Sequence, residues 1–302
     1  MNPTPIVDMF SGTGALSRAV SETLEEPTRL VSFSDSYGPA RKYLQHRSPG
    51  VSVARDFRFQ DVPRGSIVTV GAPCQDLSVA GKGARAERGS GTRSSLIHDA
   101  LGMAAVGGAD LIVAENVPGG YRTYLDLAHW LETEHGYHAT VSSAGAWEVG
   151  APHRRERVML VAARRPFDAR PALVVRQVAP DRLLPTPTVV DRAWGLTSEQ
   201  WDDVKRLYRE KHGNGLGETV SSVLSRGLDD EEIRLIRTWE TVTGVYIHPA
   251  DKTCQFMHWM MGLPLHLPDT LGLSVSAQRR LAGNAVVGLQ ARLMLRRGLA
   301  AL

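Results

Sequence analysis

Only two cysteines, Cys74 and Cys254, occur in 302 residues, and they do not form a Cys-x-x-Cys pair. That excludes a disulfide framework and a zinc knuckle, and it points to a reducing cytosol. No uncharged apolar run approaches the roughly 20 residues needed to cross a bilayer. The opening stretch, Met1-Asn2-Pro3-Thr4-Pro5, lacks the basic start and apolar run of a signal peptide, so none is expected. Gly12-Thr13-Gly14 is not followed by the third glycine of the dinucleotide fingerprint. A nicotinamide-dependent oxidoreductase is therefore disfavoured, and Cys74-Gln75 would have no task in one. His248, Cys254 and His258 invite a metal reading, but Phe256–Pro264 carries Met and aromatic residues at the helical spacing of a core helix. No metal is expected.

What is present is ordinary for a soluble globular chain: 42% hydrophobic and 22% charged residues. The length suits one larger domain with a smaller lobe. The net charge of +3 is unevenly spread. Residues 1–149 carry 13 Lys/Arg against 16 Asp/Glu and residues 168–250 carry 11 against 13, whereas residues 150–167 carry 5 against 1 and residues 251–302 carry 6 against 2. Inside the acidic first part, Gly81–Arg93 holds Lys82, Arg85, Arg88 and Arg93 against Glu87 alone, spaced by four glycines. Such a stretch reads as a mobile basic loop that meets a polyanion, or more blandly as a solvated surface loop.

Strand-like runs alternate with helical ones. Ile6–Phe10, Leu30–Ser34, Val51–Ala54, Ser66–Val70 and Asp110–Ala114 are apolar and short, Leu96–Val106 and Tyr121–Glu134 have helical periodicity, and His138–Ser143 and Glu156–Ala163 are extended. The pattern predicts an α/β chain with a doubly wound, mostly parallel sheet. Ser11-Gly12-Thr13-Gly14 between a strand and a helix is a turn where a nucleotide-like ligand can lie against the backbone. Asp35 after the second strand is placed to accept ribose hydroxyls, or else to cap a helix before Pro39. Val70-Gly71-Ala72-Pro73-Cys74-Gln75 ends a strand and hands a thiol to a polar loop, outside the carboxyl end of the sheet where such folds bind ligands. Glu115 closes the fifth strand at the same edge. A lone cysteine is more often inert core than nucleophile, and its neighbours decide the matter.

Five blocks, Phe10-Ser-Gly12-Thr-Gly14, Gly71-Ala-Pro73-Cys74-Gln75, Glu115-Asn116-Val117, His153-Arg-Arg155-Glu-Arg157 and Gly283-Asn284-Ala285-Val286, resemble in order and spacing those of the DNA cytosine-5 methyltransferases. The resemblance covers residues 5–165 and 253–300, and residues 168–250 fall where that family has its variable target-recognition region. It implies a Rossmann-like methyltransferase sheet with a small target-recognition lobe, divided as 1–167 (catalytic and cofactor-binding), 168–250 (target recognition) and 251–302 (returning to the catalytic domain). His153 stands where the family has glutamine, and Ser36 where it has an aromatic.

By resemblance, Cys74 is the nucleophile, Glu115 the carboxyl group that contacts the pyrimidine at nitrogen 3, and Arg155 and Arg157 the pair that holds the active site and the base carbonyl. S-adenosylmethionine, leaving as S-adenosylhomocysteine, is implied as cofactor. Its contacts would be Phe10, Gly12, Thr13 and Gly14 around the methionine and ribose, Asp35 and Ser36 at the ribose, Asp56 and Phe57 at the adenine, with Pro73, Leu96, Asn284 and Ala285 adding to these. Gln75, Ser78, Lys82, Arg85 and Arg88 would meet DNA.

Carbon 5 of cytosine is too weak a nucleophile to take a methyl group from a sulfonium unaided. A thiolate added at carbon 6 creates the enamine that can, and nearby arginine favours the thiolate. The target base must leave the stack first, at a cost of a few kcal/mol. RNA (tRNA) cytosine methylation is the alternative activity, and a catalytically silent DNA-binding protein a further one. The expected setting is a monomer in the cytoplasm of a bacterial or phage-infected cell, with double-stranded DNA as partner, a cognate restriction enzyme or downstream modifying enzyme alongside, and no membrane.

Overall fold

The computed structural model describes residues 2–73, 96–171, 183–187, 220–248 and 253–302. Two compact units emerge: residues 1–145, 156–174 and 286–302 form the first, and residues 146–155 and 175–285 the second.

The first unit is built on a sheet of β1 (Thr4–Met9), β2 (Thr28–Ser34), β3 (Ser52–Ala54), β4 (Ile67–Val70), β5 (Leu111–Asn116), β6 (His138–Gly145) and β7 (Glu156–Ala163), in the order β3-β2-β1-β4-β5-β7-β6. β1 pairs in parallel with β2 and β4, β2 with β3 and β4 with β5, while β7 is antiparallel to both β5 and β6. The helices of this unit are α1 (Ala15–Thr23), α2 (Gly38–Arg47), α3 (Leu96–Gly107), α4 (Tyr121–His135) and α10 (Gly288–Ala301). None of the described helices is long and apolar enough to cross a membrane.

Parallel strands covered on both faces need apolar residues at every position rather than at alternate ones. β4 and β5, Ile-Val-Thr-Val and Leu-Ile-Val-Ala-Glu-Asn, are buried along their whole length. Their side chains divide by parity. Val7, Met9, Val68, Val70, Ile112 and Ala114 join a cluster with Ile97, Leu101 and Ala104 of α3 and Tyr124, Leu127 and Leu131 of α4. Ile6, Ile67, Leu111 and Val113 join another with Leu16 and Val20 of α1 and Met294 and Leu295 of α10. Two helical layers therefore sandwich the sheet, and the doubly wound α/β architecture expected from the sequence is the one found. Helix and sheet approach closely at Gly298 of α10, where an added Cβ would stand 2.6 Å from Cγ2 of Val161.

The second unit contains α5 (Val220–Arg226), α6 (Asp230–Thr243), α7 (Thr253–Met260), α8 (Leu267–Thr270) and α9 (Val275–Asn284). Asp229 and Glu232 form a reciprocal capping box at the start of α6. Trp239 of α6 donates its indole N–H to the carbonyl of Trp259, 2.9 Å away. Phe256, Met257, His258, Trp259 and Met260 are all buried, as a core helix requires, and burial pushes the His258 imidazole down to about 4.

The units divide the chain elsewhere than at the boundaries read from sequence. Residues 251–302 are not one piece: only Val286–Leu302 groups with the first unit, whereas α7, α8 and α9 stay with the second. The tie between Trp239 and Trp259 and the bond from His258 Nε2 to the Gln278 carbonyl, 3.0 Å, hold them there.

Candidate active site

Strand order reverses between β1 and β4, and in open α/β sheets the crevice at such a point, beyond the carboxyl ends of the strands, is where ligands bind. Both flanking strands end there in unusual backbone. After β1, Phe10 has φ of 55°, Gly12 55° and Gly14 69°. A left-handed conformation is free for glycine but rare and costly for phenylalanine, so at Phe10 it marks a constrained, functional turn. After β4, a Cβ on Gly71 would lie 3.0 Å from the carbonyl oxygen of Phe10, tighter than an ordinary contact, so the close approach favours glycine. Gly71 N–H donates to the Met9 carbonyl at 3.0 Å and locks the two strand ends together.

The turn is held by a carboxylate. Asp35 Oδ2 accepts from Gly12 N–H and Oδ1 from Tyr37 N–H, each at 2.8 Å. Phe10 and Phe57 stack with ring centroids 4.9 Å apart. Asp56 accepts from the backbone N–H and guanidinium of Arg58, each at 3.0 Å, and Ser36 is exposed. Leu96 opens α3, half-buried against the same cluster as Phe57. Phe10, Gly12, Thr13, Gly14, Asp35 and Phe57 thus converge on one turn. Gly12 faces open space where a side chain would project, and the buried hydroxyls of Thr13 and Ser34 have no hydrogen-bond partner among the described residues.

At the end of β5, Glu115 Oε1 meets Arg157 Nε at 2.9 Å, with side-chain exposures of 10% and 14%. Antiparallel pairing sets Glu115 opposite Met159 and Asn116 opposite Val158, so Arg157 at the start of β7 arrives where β5 finishes. A pair this desolvated is useful only while both charges remain, since either alone would be a buried ion. Asn116 reaches back with Nδ2 to the Ala72 carbonyl at 3.4 Å, linking this edge to the Gly71-Ala72-Pro73 segment. Cys74, Gln75, Ser78, Lys82, Arg85 and Arg88 follow that segment and lie outside the described residues.

Arg155 belongs to the second unit and differs from Arg157. It precedes β7, and its Nη2 donates to the carbonyls of Gly283 and Ala285 at 3.1 and 2.6 Å. The two arginines, paired by the resemblance, thus have different partners: one ties the block around Asn284, which is itself exposed, and the other meets a carboxylate. His153 is fully buried, with Nε2 3.1 Å from the carbonyl oxygen of Met260.

The family profile for C-5 cytosine-specific DNA methylases matches residues 4–235. The chain belongs to that family. Among curated proteins, the Type II methyltransferase M2.BsuMI of Bacillus subtilis strain 168 is 28% identical over 169 residues, 52% of this chain and 41% of that protein. The match therefore spans about two-fifths of the relative's length. Among solved structures, the Entamoeba histolytica methyltransferase EhMeth superposes with a TM-score of 0.55 at 15% identity, covering 97% of both chains. A triple mutant of Spodoptera frugiperda DNMT2 gives 0.57 at 16% identity, covering 97% of this chain and 98% of that one. At such identities the likeness is one of fold, and it agrees with the sheet order of this methylase.

One buried residue beside the turn escaped the sequence reading. Asp8, next to last in β1, is 1% exposed. Its Oδ2 accepts from Ser17 Oγ and its Oδ1 from Thr69 Oγ1, each at 2.7 Å, and its carbonyl accepts from Ser11 Oγ at 2.8 Å. Burial raises its carboxyl to about 7 against the pull of those hydroxyls, and the charge of Asp35 adds to the rise. The available signal was a single acid in an apolar strand, nine residues before a serine in the following helix.

Proposed function

We propose that the protein methylates carbon 5 of cytosine in double-stranded DNA, with S-adenosylmethionine as donor and Cys74 as the nucleophile. The buried Glu115–Arg157 pair carries this reading: a carboxyl group fixed by a guanidinium at the sheet edge, one strand away from the segment that leads to Cys74. Membership of a family named for DNA supports the substrate.

The turn fits the donor. Left-handed glycines expose backbone, Asp35 is anchored beside them to meet ribose, Phe57 lies against Phe10 for an adenine, and the hydroxyl of Thr13 is unmatched. When bound there, the donor supplies an electrophilic methyl group on a sulfonium. Cys74 as thiolate would form a bond to carbon 6 of the flipped base, and the ring double bond would shift its electrons toward carbon 5 and nitrogen 3. Glu115, sharing a proton with nitrogen 3, would stabilise the negative charge that develops there. Arg157 would keep Glu115 aimed while the base is bound. Once carbon 5 carries the methyl group, its proton leaves to water, the electron pair reforms the double bond and the carbon–sulfur bond breaks, freeing Cys74. Gln75, Ser78 and the basic residues Lys82, Arg85 and Arg88 would meet phosphate and close over the flipped base.

Incubation with methyl-labelled S-adenosylmethionine and either duplex DNA or tRNA tests this. Label at carbon 5 of cytosine in duplex DNA is the expected result. Label confined to tRNA would move the substrate to RNA, and label in neither would overturn the activity.

A further inference from the structure

Asp8 takes no part in the chemistry proposed above, yet it lies where the donor turn and the strand leading to Cys74 meet. Its two carboxyl oxygens each face a hydroxyl, and the hydroxyls are not equivalent. Ser17 Oγ stands 2.7 Å from Asp8 Oδ2 and also 3.2 Å from the carbonyl of Gly14, the left-handed residue at the head of α1. Thr69 Oγ1, 2.7 Å from Oδ1, has no second acceptor among the described residues. A hydroxyl has one hydrogen to give. While Asp8 is a carboxylate, Ser17 gives its hydrogen to Asp8. When Asp8 carries a proton, that proton sits on Oδ2, because only Ser17 can accept it and pass its own hydrogen onward, to the Gly14 carbonyl.

We propose that Asp8 is a positioning residue for the donor: in its neutral form it acts through Ser17 to brace the Gly12-Thr13-Gly14 turn, and on ionisation it withdraws that brace. The step is a proton transfer within hydrogen bonds, and the Asp8 proton leaves to solvent when the pH rises. The surroundings permit this. Asp35 at the end of β2 is a carboxylate that disfavours a second negative charge nearby. β4 contributes only Ile, Val and Thr, and Arg18 and Glu22 of α1 lie on its exposed side. Gln60, between β3 and β4, reaches the Asp8 carbonyl through Nε2 at 3.3 Å and carries no charge. Burial, which pushes the Asp8 carboxyl up to about 7, places the change near neutrality.

The inference rests on the turn being the donor site, and the test separates the two. The affinity of the full chain for S-adenosylhomocysteine is measured by calorimetry from pH 5.5 to 8.5, without DNA, so that neither turnover nor the thiol of Cys74 is read. The wild type is expected to bind about fivefold more weakly at the alkaline end, the factor that one neutral hydrogen bond is worth. Asp8→Asn, whose amide donates to Ser17 at every pH, is expected to bind tightly throughout. Ser17→Ala is expected to bind weakly throughout, and Thr69→Val, which removes a donor that favours the carboxylate, to move the midpoint to higher pH. A flat wild-type profile, or a slope kept in Asp8→Asn, overturns the role of Asp8 and leaves the donor site standing. Absence of binding at every pH in a folded wild type overturns the donor site itself.

Discussion

Asp8 and Glu115 are both acids buried in one sheet, and they are held in opposite ways. Asp8 is the next-to-last residue of β1 and receives two hydroxyl hydrogen bonds. Glu115 is near the end of β5, two strands away, and receives a guanidinium at 2.9 Å. Hydroxyls do not offset the loss of solvation, so Asp8 is pushed toward its neutral form, up to about 7. Glu115 has a cationic partner where the side chain of Asp8 has neutral ones. One sheet thus holds one buried acid by hydroxyls and another by a guanidinium.

The widest separation between them is functional. Cys74→Ser should abolish methyl transfer while leaving both acids as they are. It should also prevent the covalent adduct that the wild type is expected to form with duplex DNA containing 5-fluorocytosine, where the fluorine cannot leave as a proton does. A gel shift resistant to denaturant reads the adduct, and near-normal turnover by the serine variant would remove the thiol from the reaction. Glu115→Gln should cost about 10²–10⁴ in kcat, the usual worth of a positioned proton-sharing group, with donor affinity unchanged. Arg157→Ala should destabilise the fold by about 3–5 kcal/mol, because it strands a buried carboxylate. A urea titration that finds the variant as stable as the wild type would mean that Glu115 has another source of charge compensation.

Asp8→Asn should act in the other direction. The unfolded carboxyl loses its proton near 3.8 and the folded one near 7, so folding takes up a proton in between. Wild-type stability therefore falls as pH rises through that window and stays lower above it. The variant should show no such fall and should exceed the wild type at pH 8 by about 2–4 kcal/mol, read as the difference in melting temperature between pH 5 and pH 8. Gly12→Ala should cost least, about 1 kcal/mol: its added methyl meets nothing within 4 Å, and only the positive φ of 55° opposes it.

Much of this was legible in the sequence because it depends on local pattern. Short, mainly apolar strands such as Ile67–Val70, the Gly12–Gly14 turn and the acid after the second strand each signal themselves within a few residues. What was hidden depends on partners far along the chain. Arg155 looked like a twin of Arg157 until its donors met the carbonyls of Gly283 and Ala285, and the bond from Trp239 to Trp259 ties residues 253–284 into the second unit. Asp8 was unread for a different reason. A single acid in an apolar strand has the same composition whether it is a defect or a hub, and only its two hydroxyl neighbours distinguish these.

The reversed direction of β7 puts Arg157 among the first residues of its strand, level with the last residues of β5. Register at the working edge is therefore indifferent to how far β6 and β7 extend at their other end. A single residue inserted between Arg157 and Val158 would turn the arginine to the opposite face of the sheet.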